Sequence, residues 1–362
     1  ESIQPLDTSE VLRRVPGVHT RSEDGLGLRL NIGIRGTDPT RGRKVLVLED
    51  GMPVAINPYG EPDLYYSPVL ERVTAVEVLK GSGSILFGPQ TVAGTINFIT
   101  RQPPQKREWH AGLTLGERNY MRVLGRYGDR IGTTAFTVQF MRKQGDGFRG
   151  IGFAQTDLVG KITFGTGHGG RATIKAGTYW EDSQSTYVGL TRDMFAADPY
   201  REMVAPYDRF EVSRYELSVV HEQPLAPGLR LKTMAFGYLT GRIWRRQDFD
   251  RSAITGVDYE RTLGDTDIPQ AALYFRNSST IRDRQFFVYG VEPRLTGEWD
   301  LPSAPGGGPE LTIGLRAGGR FLGEGARRRI YQTSSVGSDA GNLTRDERNE
   351  GQALAGYLLG SV

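Results

Sequence analysis

The run Arg214-Tyr-Glu-Leu-Ser-Val219 changes character at every residue. Successive side chains of a strand point to opposite faces, so Tyr215, Leu217 and Val219 share one face and Arg214, Glu216 and Ser218 the other. Such a strand borders two different media. The same grammar runs from about residue 107 to the end of the chain. Trp109, Ala111, Leu113 and Leu115 oppose His110, Gly112, Thr114 and Gly116. Phe136, Val138 and Phe140 oppose Thr137 and Gln139. Leu158, Ile162 and Phe164 oppose Asp157, Lys161 and Thr163. Ala172, Ile174, Ala176 and Trp180 oppose Arg171, Thr173 and Lys175. Phe287, Tyr289, Val291 and Leu295 oppose Gly290, Glu292, Arg294 and Thr296. Leu311, Ile313 and Leu315 oppose Thr312, Gly314 and Arg316. About ten strands are predicted, near 107–117, 120–129, 132–144, 154–165, 170–182, 208–222, 229–243, 284–299, 308–323 and 351–362. The phase of 229–243 is not fixed by its sequence.

The connections between these strands carry the next inference. Trp180–Asp208, Trp244–Asp283 and Glu324–Glu350 read as long loops, whereas Asp129–Gly132, Gly165–Gly170 and Gln223–Gly228 read as tight turns. Long loops at one end and short turns at the other are the organisation of an outer-membrane β-barrel. A soluble β-sandwich alternates too, but loops of roughly 25–40 residues confined to one end are unusual there. In the barrel the apolar face meets lipid, and Ile313 is expected near the bilayer midplane.

Composition agrees without deciding the matter. The chain has 362 residues, 48 of them Gly, and a net charge of only +3, with Arg outnumbering Lys 38 to 7. That balance does not call for a nucleic-acid partner. There is no Cys, which excludes disulfides, thiol catalysis and Cys-ligated zinc. His19, His110, His168 and His221 stand far apart, so no zinc-protease motif exists and no metal site is expected. No apolar run approaches the roughly 18–20 residues of a membrane helix, and a barrel needs none. The chain opens at Glu1-Ser-Ile-Gln-Pro5 without an apolar leader, which reads as a mature or trimmed start.

Residues 1–106 follow a different, mixed pattern. Ser9–Gly17 reads as a short helix with a Ser cap and a Pro-Gly stop. Strands are expected at Asn31–Gly36, at Lys44–Gly51 resuming at Met52, along Leu70–Lys80 after a helical turn, and at Gly94–Thr100. Gln102-Pro-Pro-Gln105 reads as a linker. Gly25-Leu-Gly27 and Gly81-Ser-Gly83 each lack the third glycine of a dinucleotide loop, and neither precedes Gly-Lys-Ser/Thr. No Gly-x-Ser-x-Gly elbow occurs. No enzyme and no cofactor are therefore expected.

Four motifs in fixed order carry a resemblance. Leu12-Arg-Arg-Val-Pro-Gly-Val18, Asn31-Ile-Gly-Ile-Arg-Gly36, Val47-Leu-Glu-Asp-Gly-Met-Pro-Val54 and the box Val76-Glu-Val-Leu-Lys-Gly81 with Phe87-Gly-Pro-Gln90 and Gly94–Arg101 resemble the plug of TonB-dependent outer-membrane receptors. Asn57-Pro-Tyr-Gly-Glu-Pro-Asp63 resembles the ferric dicitrate receptor branch. The resemblance implies a mixed α/β plug domain, residues 1–106, followed by a transmembrane antiparallel β-barrel, residues 107–362, of which only about ten strands are present. Plugged transporters of this kind have 22 strands, so the 256 residues after 106 (362 − 106) hold under half of a wall. Ten strands leave two unpaired edges, which lipid does not tolerate. No segment that would contact the energy-coupling protein is recognisable before Ser9.

The implied function is import of a ferric siderophore-type, ferric citrate-like chelate across a Gram-negative outer membrane, with periplasmic TonB supplying the work and outer-membrane lipid around the wall. The alternatives are the same architecture importing another metal chelate, a cobalamin or a glycan, or a soluble β-rich binding protein. Ferric carboxylate chelates are anionic, and arginine's fork matches carboxylates. The expected ligand-binding set is Arg41 and Arg43, then Thr37, Tyr59 and Gln90 from the plug, with Arg242, Arg245 and Arg246 from the long loop after residue 243. The resemblance also implies that Arg35 and Lys80 pair with carboxylates of the wall. The usual residue at the second position is Arg, so Lys80 departs from the pattern and forgoes bidentate geometry.

Overall fold

A computed structural model describes residues 5, 7–23, 27–81, 87–88, 91–186, 188–301 and 311–361. The wall is one antiparallel sheet. Its strands are β7 (Glu108–Leu115), β8 (Met121–Ile131), β9 (Thr134–Gly145), β10 (Phe153–Gly167), β11 (Gly170–Ser183), β12 (Arg209–Ala226), β13 (Leu229–Asp250), β15 (Ala272–Leu301), β16 (Leu311–Gln332) and β17 (Asn342–Ser361). They pair in chain order, and short β14 (Tyr259–Gly264) pairs β15 off that path. Among the described residues β7 and β17 each have one neighbour, so the barrel is incomplete.

The alternation sorts as its chemistry requires. Trp109, Leu113, Phe140, Leu158, Trp180, Tyr215, Leu217, Leu239 and Phe287 are exposed on the outer face. Arg214, Glu216, Lys161, Lys175 and Asp157 are buried on the inner face against the plug. Leu239 on the outside, with Tyr238 and Thr240 buried inside, settles the phase of β13. Ile313 does face outward, but it is the third residue of β16, next to the turn end, rather than mid-strand.

Several wall strands run further than the apolar alternation does. Trp244–Asp250, Ala272–Asp283 and Gly325–Gln332 are strand, where sequence reads long loops. The physical reason is that these extensions are charged on both faces. The hydrogen-bonded ladder continues after the hydrophobic signal has stopped. Trp180–Asp208 is a true long connection and holds helix α2 (Arg192–Ala197), N-capped by Thr191.

Inside the wall sit helix α1 (Thr8–Leu12), hairpin β1 (Val18–Thr20)–β2 (Ile32–Ile34), and a sheet of order β4-β3-β6-β5. That sheet comprises β3 (Val45–Glu49), β4 (Met52–Pro53), β5 (Val73–Leu79) and β6 (Gly94–Thr100). The α1 cap is Asp7, whose carboxylate accepts from Glu10 N at 3.0 Å, two residues earlier than the expected Ser9. Gly33 is required at a close approach: a Cβ there would lie 2.2 Å from the Thr37 carbonyl oxygen.

Apolar plug residues Ile56, Tyr65, Tyr66 and Phe98 share one core with wall residues Met141, Tyr179, Phe210, Trp244 and Phe286. Charge locks the same interface. Lys175 Nζ lies 2.7 Å from Glu49, 3.2 Å from Asp50 and 3.4 Å from Glu216. Arg72 lies 2.9 Å from Glu49, 3.3 Å from Asp157 and 3.5 Å from Glu216. Lys161 meets Asp50 at 3.1 Å, and Arg214 meets Glu216 at 3.1 Å. Four cations face four carboxylates, which is how buried charges are tolerated.

Candidate functional site

The loop between β4 and β5 rises against the upper inner wall. Tyr59 N and Gly60 N donate to the two carboxylate oxygens of Glu324, at 2.9 and 2.8 Å. Asn57 bridges to Glu61 and closes the loop on itself. Glu61 then points at three wall arginines. It lies 3.9 Å from Arg242 and 3.1 Å from Arg328, and it is hydrogen-bonded to Arg284.

These three arginines stand in one row. Arg242 pairs across strands with Arg284, and Arg284 with Arg328, on β13, β15 and β16. Like charges directly opposite each other on a sheet repel. Arg282, one alternation up on β15, and Arg246 on β13 extend the patch, and the two interact electrostatically. Arg242 is 1% exposed in its side chain, stacks 4.4 Å over the Tyr65 ring, and its Nε makes no hydrogen bond. Arg246 lies 5.1 Å over Trp244. Carboxylates near the patch are Glu61, Glu324, Asp248 and Asp63; Asp248 is held by Ser278, Thr280 and Gln332, and Asp63 by Arg43. Glu347, opposite Arg328, pairs with Arg345. With Arg43 counted, six arginines thus face four carboxylates around one concave wall, an arrangement that attracts an anion.

The expected site residues divide. Arg41 also lies over the Tyr65 ring, 4.8 Å from its centroid, and pairs with Glu23 at 2.6 Å. Its backbone is in the left-handed region, with φ +55°, held by Asn31 Oδ1 accepting from Arg41 N at 2.8 Å. Arg43 is engaged bidentately by Asp63, one bond being 3.2 Å, and that hydrogen bond raises the Arg43 pKa. Tyr59 is exposed beside Glu324. Burial raises its phenol pKa. So Arg41, Arg43, Tyr59, Arg242 and Arg246 do gather around the 57–65 loop.

Other members do not join them. Arg245, expected in the ligand set, alternates to the outer side of the wall. It pairs with Asp339, and its register partner is Arg209. Period two forbids Arg245 from sharing a face with Arg246, and all three arginines lie on β13 rather than in a loop. Thr37 turns onto its own hairpin, accepting from Ile34 N and donating to Ile34 O, each at 3.1 Å. Gln90 lies outside the described residues, as do Gly83 and Pro89. Arg35 and Lys80, expected to meet wall carboxylates, instead reach plug backbone: Arg35 donates to Lys80 O at 3.3 Å and Lys80 to Pro16 O. Arg29 and Arg72 supply the plug's ion pairs to the wall, Arg29 gripping Glu181 at 2.6 Å. Sequence reading missed Glu61, Arg282, Arg284 and Arg328 because their juxtaposition is a matter of strand register.

A mixed plug seated inside an antiparallel wall with an apolar outer face defines a plugged outer-membrane β-barrel. Comparison with known proteins agrees. Residues 1–95 match the TonB-dependent Receptor Plug Domain. The vitamin B12 transporter BtuB of Photobacterium profundum is 26% identical over 197 residues, 52% of this chain and 31% of its own. The BtuB of Vibrio cholerae serotype O1 is 31% identical over 132 residues, 36% of this chain and 21% of its own. The ferric citrate transporter FecA, in its unliganded form, superposes with a TM-score of 0.79 at 24% identity, over 98% of this chain and 50% of that one. A ferripyoverdine-bound FpvA of Pseudomonas aeruginosa gives 0.72 at 15% identity, over 98% and 47%. The chain therefore spans a third or less of those curated relatives and about half of those solved structures. Residues 1–95 are thus similar to the plug of TonB-dependent receptors, and nearly the whole chain has the fold of such a plug with part of an outer-membrane β-barrel.

Proposed function

We propose that this receptor imports a ferric siderophore-type chelate of the anionic, ferric citrate-like kind, with TonB supplying the work and no bond chemistry of its own. Residues 1–106 serve as the plug and 107–362 as wall. One observation carries the reading: three lumen-facing arginines stand in register above the plug loop, with Arg246 and Arg282 beside them. Guanidinium forks bind carboxylates bidentately and stay charged at any physiological pH. A cobalamin, which the named relatives transport, is rich in amides and has little use for such a row. Arg41, Arg43 and Tyr59 line the plug side of the site, and Thr37 and Gln90 complete the proposed set.

The test is binding of ferric citrate to the receptor in outer-membrane vesicles at low salt. Arg284→Ala with Arg328→Ala should weaken it by at least about a hundredfold, since each charged hydrogen bond lost is worth roughly 1.5–3 kcal/mol. Cyanocobalamin serves as the contrasting probe. Parent-like ferric citrate binding by the double variant, or tighter binding of cyanocobalamin by the parent, refutes the reading.

A further inference from the structure

Arg242, Arg284 and Arg328 repel one another across three adjacent strands. In this structure the group that relieves the repulsion comes from the plug. Glu61 spreads its two oxygens over all three, Oε1 toward Arg242 and Arg284 and Oε2 toward Arg328. We infer that Glu61 is a built-in stand-in for the substrate: its carboxylate occupies the anion position of the arginine row until a ligand carboxylate displaces it. This rests on the anionic-chelate reading above and narrows it. The substrate must present at least two carboxylates, since one would merely exchange with Glu61 at no gain.

Three features separate this contact from the structural ion pairs below it. The Lys175 and Arg72 network is balanced, four cations to four carboxylates, and its side chains are nearly all fully buried. The upper patch has six arginines for four carboxylates once the Arg43–Asp63 pair is counted, so charge is left over after Glu61 has bound. Its side chains are also reachable: Glu61, Arg284 and Arg328 are 13%, 21% and 19% exposed. Finally, Glu61 sits on a loop whose other wall tether, Glu324, accepts from the backbone of Tyr59 and Gly60 and from the side-chain amide of Asn57, all neutral donors. Displacing Glu61 removes the loop's side-chain ion pairs to the wall among the described residues. Occupancy of the site is thereby converted into release of the 57–63 segment of the plug.

The experiment measures ferric citrate binding to the full receptor in outer-membrane vesicles, with an uncharged ferric hydroxamate as control. Glu61→Gln keeps the shape and removes the competing charge. It should tighten ferric citrate binding by about tenfold and leave hydroxamate binding unchanged. Unchanged or weaker citrate binding by Glu61→Gln, together with loss of binding by Arg284→Ala/Arg328→Ala, overturns the stand-in while sparing the anion site. Parent-like binding by the arginine variant overturns both. A second measurement reads release directly: Pro62→Cys introduces a single thiol into a sequence that has none. Saturating ferric citrate should raise its rate of labelling by a small methanethiosulfonate several-fold, and an unchanged or lower rate refutes release.

Discussion

Replacing Lys175 by Met tests whether charge locks the plug to the wall. Lys175 is 2% exposed, and its ammonium is shared among Glu49 and Asp50 of the plug and Glu216 of the wall. Met fills a similar volume, so packing loss is small. The cost comes from the carboxylates left behind. Asp50 retains Lys161 at 3.1 Å, and Glu216 retains Arg214 at 3.1 Å, but Glu49 keeps Arg72 as its one cation, which Asp157 and Glu216 also claim, beside a hydrogen bond from the Tyr66 hydroxyl. Three cations then face four buried carboxylates. Breaking a buried pair by removing one partner costs about 3–5 kcal/mol, chiefly through the uncompensated charge. The assay is hydrogen exchange at the amides of β3 in detergent-solubilised receptor, read as an opening free energy. Lys175→Met should lower it by about 3–5 kcal/mol. Adding Glu49→Gln removes one orphaned charge, so the double variant should recover part of that loss. A loss under about 1 kcal/mol, or a double variant no better than Lys175→Met alone, refutes the reasoning.

Leu217, ninth of the 18 residues of β12 and exposed on the lipid face, is the midplane probe: Leu217→Arg should cost about 2–4 kcal/mol in a membrane-refolding assay, against about 0–1 for Ile313→Arg near the turn end, and equal costs would refute the assigned depths. The long connection between β11 and β12 should loosen as pH rises. Asp208, 1% exposed, accepts from Thr186 Oγ1 at 2.7 Å and Gln247 N at 2.8 Å, and burial nevertheless pushes its pKa up to about 6. Because the folded value exceeds the unfolded value of about 3.9, the folded loop binds the proton more tightly. Its stability is therefore greatest below about pH 4 and falls as pH rises through about 6. Limited proteolysis of 184–208 should be faster at pH 7.5 than at pH 4.5, and Asp208→Asn should flatten that dependence.

Much of this architecture was legible in the chain itself, for a physical reason. A strand between lipid and a charged interior must alternate, so Tyr215 and Leu217 declare their face by composition alone, as do Arg214 and Glu216. The plug motifs around Asn31–Gly36 and Val76–Gly81 mark backbone that must turn tightly, as the close approach at Gly33 shows. Alternation also settles that Arg245 cannot join Arg242 and Arg246, once β13 is known to continue past residue 243. That continuation is what sequence could not show. Above the apolar band both faces of β13, β15 and β16 are polar, so the hydrophobic signal vanishes while the ladder goes on. Register is likewise silent in one dimension: residues 242, 284 and 328 are 42 and 44 positions apart, and only hydrogen bonding between strands sets their three guanidinium groups side by side. The tertiary structure alone brings Glu61 from the plug onto that row, because nothing local to Asn57–Asp63 names the charge it must meet.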